Sequence, residues 1–138
     1  MQAATRHRAI LLLVLILTGV GLVLLAVSAV VNRPDPLDAR PFDRATWAAA
    51  DSYDRAPMAK DAIRHLPAGL PEAEVVALLG KPGEVIETHR LTTSRPRGAV
   101  QTYSYFLGSW SYEYFDSTFL WVHVDAAGRI VEAVIGGG

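Results

Sequence analysis

Residues 9–31, AILLLVLILTGVGLVLLAVSAVV, form an apolar segment without a charged side chain. As an α-helix, the segment would reach roughly 34 Å, against a membrane hydrocarbon core of about 30 Å. It therefore predicts a transmembrane helix that anchors the protein in a lipid bilayer. The helix divides the chain into a short basic N-terminus at 1–8 and a much longer polar part that begins at residue 32.

The charged residues around this segment predict its orientation. Arg6 and Arg8 precede it, whereas the arginines that follow it are mixed with aspartates. Because Lys and Arg favour the cytoplasmic side, we expect a single-pass cell-membrane protein with a cytoplasmic N-terminus and an extracytoplasmic C-terminal domain. The alternative is a cleaved secretory signal with small residues at 27–29, which would leave a secreted protein. The apolar region of such a signal is normally only about 7–15 residues long, so a retained anchor is favoured.

Composition limits what the remaining chain can be. Residues 32–138 hold 11 basic and 14 acidic side chains, a formal net charge of −3, which argues against a nucleic-acid partner. Their length suffices for one small domain. The chain contains no cysteine, which excludes disulfides, thiolate metal sites and a lipid attached to cysteine. Residues 32–41, NRPDPLDARP, contain three prolines and predict a stiff, solvated linker before a domain at 42–138.

Helical signals come first in this domain. Asp43 is a suitable N-cap for a short helix at 44–50 that buries Trp47, and Asp54 is a candidate cap for a second helix. The second helix would place four apolar side chains on one face, namely Met58, Ala62, Ile63 and Leu66.

The third helix has the clearest boundaries. Pro71 stands at its start, Glu72 favours the positive end of the helix dipole, Gly80 suits its C-terminal cap, and Pro82 prevents its continuation. Its predicted core residues are Val75, Leu78 and Leu79.

Alternating patterns follow, with strands predicted at 84–90, 100–107, 118–125 and 129–135. Residues 125–128, DAAG, predict the turn that joins the last two strands. In the third strand, Leu120, Val122 and Val124 would share one face, and Trp121 and His123 the other. The predicted fold class is α+β: two to three helices packed on an antiparallel sheet of three to four strands.

Three stretches of this domain together resemble the SmpA/OmlA (BamE-like) family of outer-membrane assembly lipoproteins. They are GLPEAEVVALLGKP at 69–82, YSYFLG at 103–108 and LWVHVDAAGRI at 120–130, and the segment 42–63 resembles an extension found beside this domain in small envelope proteins. The resemblance implies two helices on a three-stranded antiparallel sheet, similar to the β-lactamase-inhibitor-protein fold. It also implies an accessory in envelope protein assembly or maintenance. The chain departs from the family in lacking a lipidated cysteine and in having Pro71 where a Ser or Thr cap is usual.

Aromatic residues are concentrated late in the chain. Nine of the 12 Phe, Trp and Tyr residues lie between positions 103 and 121. Trp110, Tyr112 and Tyr114 alternate with polar residues between two predicted strands, where rigid aromatic side chains are typical anchors of a protein interface. They could equally be part of the domain's own core, or lie among lipid headgroups if the loop faces the bilayer.

A basic loop is the second candidate binding element. Arg90, Arg95 and Arg97 lie close together in the chain, where an acidic protein partner or lipid headgroups could bind. The simpler alternative is a solvated hairpin loop. The sequence therefore predicts a module that binds an envelope or membrane protein.

Little in the sequence indicates catalysis. The four histidines show no metal-ligand spacing, and no motif of a nucleophile, a nucleotide-binding loop or a zinc protease occurs. We therefore expect no enzymatic activity, no cofactor and no metal. The alternative is a small ligand-binding or enzymatic domain of the envelope with a pocket near His123.

Overall fold

The computed structural model describes residues 2–31, 35–92, 95–109 and 117–137. The chain divides into two compact units, Met1–Pro34 and Asp35–Gly138. The first unit contains helix α1 (Gln2–Val31). The structure describes the α1 side chains of residues 14–29. Within the described part of the chain, no helix is long and apolar enough to cross a membrane.

The second unit is an α+β domain, as predicted. Its helices are α2 (Arg44–Ala49), α3 (Ser52–Arg55), α4 (Ala59–Arg64) and α5 (Glu72–Leu79). Its strands are β1 (Glu84–Glu87), β2 (Ala99–Ser109), β3 (Ser117–Asp125) and β4 (Ile130–Gly137). They form one antiparallel sheet in the order β1-β2-β3-β4. The sheet thus has four strands, one more than the family resemblance implies.

Local caps account for the positions of α2 and α3. Asp43 caps α2 as predicted: its Oδ1 lies 2.7 Å from the backbone nitrogen of Thr46, and hydrogen bonding to Thr46 lowers the pKa of this carboxyl. The prediction that Asp54 caps the second helix is wrong. Asp51 is the cap, because its extended backbone places Oδ1 3.0 Å from the backbone nitrogen of Asp54.

The predicted second helix is interrupted. A 3₁₀ turn, Ala56–Met58, separates α3 from α4, with Pro57 in its first positions. Proline has no backbone N–H to donate, so a continuous α-helix is unfavourable there. Met58, Ala62 and Leu66 nevertheless lie in the core as expected, and Ile63 packs against it.

Helix α5 is anchored at its C-terminal end by two aromatic side chains. The Trp47 indole nitrogen donates to the Leu79 carbonyl at 3.0 Å, and the Tyr105 hydroxyl donates to the Gly80 carbonyl at 3.0 Å. Gly80 has φ +78°, as a glycine cap requires. Val75 and Leu79 are buried as predicted, but Leu78 only packs at the edge of the core.

The β3–β4 turn also holds the start of α5. Asp125 Oδ1 accepts hydrogen bonds from the backbone nitrogens of Ala127 and Arg129, each at 2.9 Å, and Gly128 has φ +69°. The Gly128 carbonyl then accepts from the Glu72 backbone nitrogen at 2.9 Å. The predicted hairpin is confirmed.

The segment expected to be a solvated linker at 32–41 packs on the domain from residue 35 onward. Leu37 lies against the core, and its carbonyl accepts from the Lys60 backbone nitrogen at 2.9 Å. Asp35 pairs with the Lys60 ammonium group, and Asp38 pairs with Arg64 at 2.9 Å. Exposed pairs of this kind contribute little stability, so Leu37 and the backbone hydrogen bonds account for most of the attachment.

The front face of the sheet packs on the helices through Leu120, Val122 and Val124, as predicted. The opposite face, called the back face below, carries Phe119, Trp121 and His123. Trp121 and His123 are also buried, so β3 is covered on both sides. The cover comes from the chain that follows β1. The predicted strand 84–90 ends at Glu87 and continues as a 3₁₀ turn, Thr88–Arg90, whose Thr88 side chain bonds to the sheet.

Candidate functional site

A row of rings runs across the back face. The ring centroids of Phe106 and Phe119 are 5.4 Å apart, those of Phe119 and Trp121 are 6.2 Å apart with nearly parallel planes, and those of Trp121 and His123 are 6.5 Å apart. Exposure decreases along this row, since Phe106 is 40% exposed, Phe119 is half-buried, and His123 is completely buried. The end at Phe106 is therefore the part of the row that a partner can contact.

A pocket of about 320 Å³ adjoins this row. Phe119 and Trp121 supply its aromatic side, strand β1 supplies one wall, and the segment after the 3₁₀ turn supplies another. Its lining residues are Glu84, Val85, Ile86, Arg90, Leu91, Thr92, Ser104, Phe119 and Trp121. The volume is at the lower end of the range of about 300–1,000 Å³ that is usual for small-molecule sites. The pocket combines two aromatic rings with polar and charged side chains, so it suits a group that has both an apolar and a polar part.

Gly136 on β4 explains how the Trp121 ring is positioned. A Cβ atom added at Gly136 would lie 2.9 Å from Cζ3 of Trp121 and 3.2 Å from its Cε3. The indole ring therefore lies directly over the glycine, in space that any other side chain would occupy. The aromatic side of the pocket depends on this contact.

His123 belongs to a buried polar chain. Its Nδ1 lies 2.8 Å from Thr102 Oγ1, which in turn lies 2.9 Å from Thr88 Oγ1. Burial lowers the pKa of His123, and the negative charge of Glu132 on β4 partly opposes this effect. Its Nε2 is buried without a hydrogen-bond partner among the described residues. A neutral imidazole is favoured in this position, because a buried charge needs a compensating partner.

His123 does not line the pocket described above, and a ligand pocket at His123 stays a prediction. Trp121, two residues before His123 on β3, lines the pocket. Its partner on β2, Ser104, lines it as well. The imidazole is instead a structural link that joins β3 to β2 and, through Thr102, to the 3₁₀ turn at Thr88. A substrate in the pocket would not meet His123 in this conformation.

The three arginines predicted as a basic cluster have different environments. Arg90 lines the pocket, and Arg95 donates from Nε to the carbonyl of Leu91. Arg97 is exposed and is not part of the pocket wall. Only Arg90 is therefore associated with the candidate site directly, whereas Arg95 stabilises the backbone beside it.

Trp110, Tyr112 and Tyr114 lie outside the described residues. The strands on either side of them are described, and Ser109 at the end of β2 pairs with Ser117 at the start of β3. The connection therefore starts and ends at the same end of the sheet as Phe106 and Phe119. The assignment of these three aromatic residues to partner binding stays a prediction.

Phe106, Phe119 and Trp121 are not among the binding residues predicted from the sequence. A usable signal was present, because β3 is apolar at almost every position rather than at alternate ones. Such a strand is covered on both faces, which indicates that chain outside the sheet must cross the back face. The alternation of Leu120, Val122 and Val124 by itself predicts only one face that is covered by helices.

Other histidines form ordinary surface contacts. His65 lies 3.7 Å from Asp61 at the end of α4, and His89 lies 3.5 Å from Glu87. Within the described ranges, no group of three or more His, Asp or Glu side chains is arranged to hold a metal ion.

Comparison with known protein families, with curated proteins and with solved structures yields no match to this chain. The resemblance to the SmpA/OmlA family therefore stays a prediction. The fold and site define the protein only as a small α+β domain with an aromatic pocket on the back of its sheet.

Proposed function

We propose that this protein is a membrane-anchored module that binds another envelope or membrane protein through the back face of its sheet. The observation that carries the proposal is the exposed end of the ring row, where Phe106 and Phe119 stand beside the pocket. Exposed aromatic rings next to a concave surface are typical of interface anchors.

The anchor is supported by residues 9–31 and by the exposure of α1. Its described large apolar side chains all have at least half of their surface exposed: Val14, Leu15, Ile16, Leu17, Val20, Leu22, Val23, Leu24, Leu25 and Val27. A helix that is apolar on all sides needs an apolar environment, and a lipid bilayer provides one. We propose that α1 spans the membrane with Arg6 and Arg8 in the cytoplasm and the α+β domain outside it.

Topology reporters test this anchor in cells. A periplasmic reporter such as alkaline phosphatase, fused after Gly138, should be active, whereas a cytoplasmic reporter at the same position should not. N-terminal sequencing of the membrane fraction should find a chain that begins before residue 9. An active cytoplasmic reporter would contradict the orientation, and a mature chain that begins near residue 30 would contradict retention.

The proposed interface combines described and predicted elements. Phe106 and Phe119 form its described centre, and Arg90 at the pocket wall supplies a positive charge for an acidic group of the partner. Trp110 and Tyr112, which lie outside the described residues, stay predicted partner-binding residues. At protein interfaces, a few central aromatic residues usually carry most of the binding energy, and the polar contacts around them contribute less.

Photocrosslinking in intact cells tests the interface. We expect a photoreactive residue at position 106 or 110 to capture one membrane-associated protein. We expect Phe106→Ala to weaken co-purification of that protein at least tenfold while leaving unfolding within about 1 kcal/mol of wild type. The matched control is Val76→Ala, since Val76 is similarly exposed but lies on α5, in the helical layer. Equal retention of the partner by both variants would contradict the proposal.

The pocket also supports a second candidate function, the binding of a small anion that has an aromatic body. Trp121 offers a flat apolar contact and Arg90 a positive charge, while Ser104 offers a hydroxyl. The dye 1-anilinonaphthalene-8-sulfonate is a suitable probe. Saturable binding to the native chain that Arg90→Glu weakens, with Arg97→Glu as control, would favour this candidate over a protein partner.

A further inference from the structure

The two edges of the sheet differ in how well they are protected against further pairing. Strand β1 has four residues, has Glu84 and Glu87 at its ends, and is followed by a chain that leaves the sheet. Strand β4 has eight residues and a single charged side chain, Glu132, and contains no proline or lysine. Natural sheets usually protect an edge by shortness, charge, proline or a bulge. Strand β4 has one bulge, at Val131, and little other protection.

The open part of the β4 edge can be defined by its hydrogen bonds. At the start of the strand, the Gly69 nitrogen donates to the Ile130 carbonyl at 2.7 Å, and the Ile130 nitrogen donates to the Leu70 carbonyl at 2.8 Å. Ile130 is therefore already paired on the side that faces away from β3. From residue 131 to 137, no described backbone group outside β3 bonds to this strand. The free edge thus consists of these seven residues.

We propose that this free edge pairs with the same edge of a second copy of the chain, giving an antiparallel dimer with a continuous eight-stranded sheet. The two-fold axis passes through Val134, the midpoint of residues 131–137. This register pairs every residue of the free edge. It is therefore the register with the largest number of paired residues.

The same register is also favoured by side-chain chemistry. With Val134 opposite its own copy, Ala133 lies opposite Ile135, and Glu132 lies opposite Gly136. Apolar residues therefore face apolar residues on the front side. The two carboxylates are not adjacent, whereas an axis at Glu132 would place like charges opposite one another, which is unfavourable. The sequence of β4 is thus complementary to itself, which favours a second copy of the chain as the partner.

A single cysteine at the axis tests the pairing, because the natural chain contains no cysteine. In the full chain in mild detergent, Val134→Cys should give a disulfide-linked dimer under gentle oxidation, since directly opposite Cα atoms lie about 4.5–5.5 Å apart. Glu132→Cys is the register control. Its two copies would be roughly 14 Å apart along the strands, which is too far for a disulfide. Val85→Cys, on the exposed β1 edge, controls for random collisions.

Light scattering during size-exclusion chromatography provides a second measurement. We expect wild type and Val134→Thr to be dimers and Val134→Lys to be at least tenfold weaker in association, because two ammonium groups would be opposite each other. A monomeric wild type would overturn the proposal, as would a Val134→Lys dimer of unchanged stability, which would indicate association through another surface such as α1. Equal crosslinking by Glu132→Cys and Val134→Cys would also overturn it.

Discussion

The two glycines at the end of β4 give a sharp test of how the aromatic pocket is built. Neither Gly136 nor Gly137 has a positive φ, so an alanine fits the backbone at both positions. Their surroundings differ. A Cβ at Gly136 would come within 2.9 Å of the Trp121 ring, whereas one at Gly137 would lie 3.6 Å from the Ser117 carbonyl, an ordinary contact.

The expected energies follow from this difference. Replacing glycine by alanine reduces the entropy of the unfolded chain and stabilises by about 0.4–1 kcal/mol where the site is unstrained. Both variants gain this stabilisation. Only Gly136→Ala must also displace Trp121, and overpacking of this kind costs about 1–3 kcal/mol. The free energies of unfolding of the two variants should therefore differ by about 1–3 kcal/mol, or about 4–24 °C in Tm for a domain of this size.

Thermal unfolding of the full chain, followed by near-ultraviolet circular dichroism in one detergent, measures the difference. Gly137→Ala should unfold at or above the wild-type temperature, and Gly136→Ala below it. The Trp121 signal should also change in folded Gly136→Ala alone. If both variants have the same Tm, Trp121 does not lie over Gly136, and the described pocket wall is wrong.

Three further predictions concern the core and the buried histidine. Trp47→Phe should cost about 1–3 kcal/mol in chemical unfolding, because the buried Leu79 carbonyl loses its donor; replacement by benzothienylalanine, which keeps the shape but lacks the N–H, should reproduce most of the loss. Leu79→Ala should cost about 2–5 kcal/mol and Leu78→Ala only about 1 kcal/mol, and equal losses would contradict their different burial. Since burial lowers the pKa of His123, the unfolded state takes up the proton more readily, so stability should be constant above about pH 6.5 and fall below it. His123→Asn should reduce that acid-dependent loss relative to wild type, and parallel pH profiles would exclude the described environment.

The parts of the fold that were predictable from sequence depend on local interactions. The Asp43 cap, the glycine at the end of α5 and the turn at 125–128 each act over only a few residues. Their chemistry is therefore visible in a short window of sequence. The α+β class follows from the same signals, because it needs only the change from helical to alternating periodicity.

The features that were missed depend on distant residues. Strand β1 is shorter than its pattern suggests, because Thr88 turns to bond Thr102 on the neighbouring strand. Most side chains of residues 35–41 are exposed, but the segment is attached to the domain, because Leu37 packs against the core and its carbonyl accepts from the Lys60 backbone nitrogen. Neither interaction could be inferred from local composition, since proline-rich polar segments are also typical of linkers.

The candidate site was predictable only in part. The aromatic concentration at 103–121 indicated the correct region of the chain, and Arg90 was among the selected basic residues. The pocket itself could not be predicted from the sequence, because it depends on Trp121 lying over Gly136 and on Leu91 crossing the back face. Both facts are tertiary contacts that strand periodicity alone does not encode.

The order of elements along the chain has a consequence for folding during synthesis. The four described helices of the domain precede its four described strands, yet they share one core with residues of β2, β3 and β4. The helical half therefore leaves the ribosome before the sheet that completes this core, and the core stays incomplete until the last strands are made. The strands themselves pair only with their neighbours in the chain, so the sheet can then close over short connections. Proteolysis of stalled nascent chains should thus find protection of the helices appearing abruptly, once β4 has emerged.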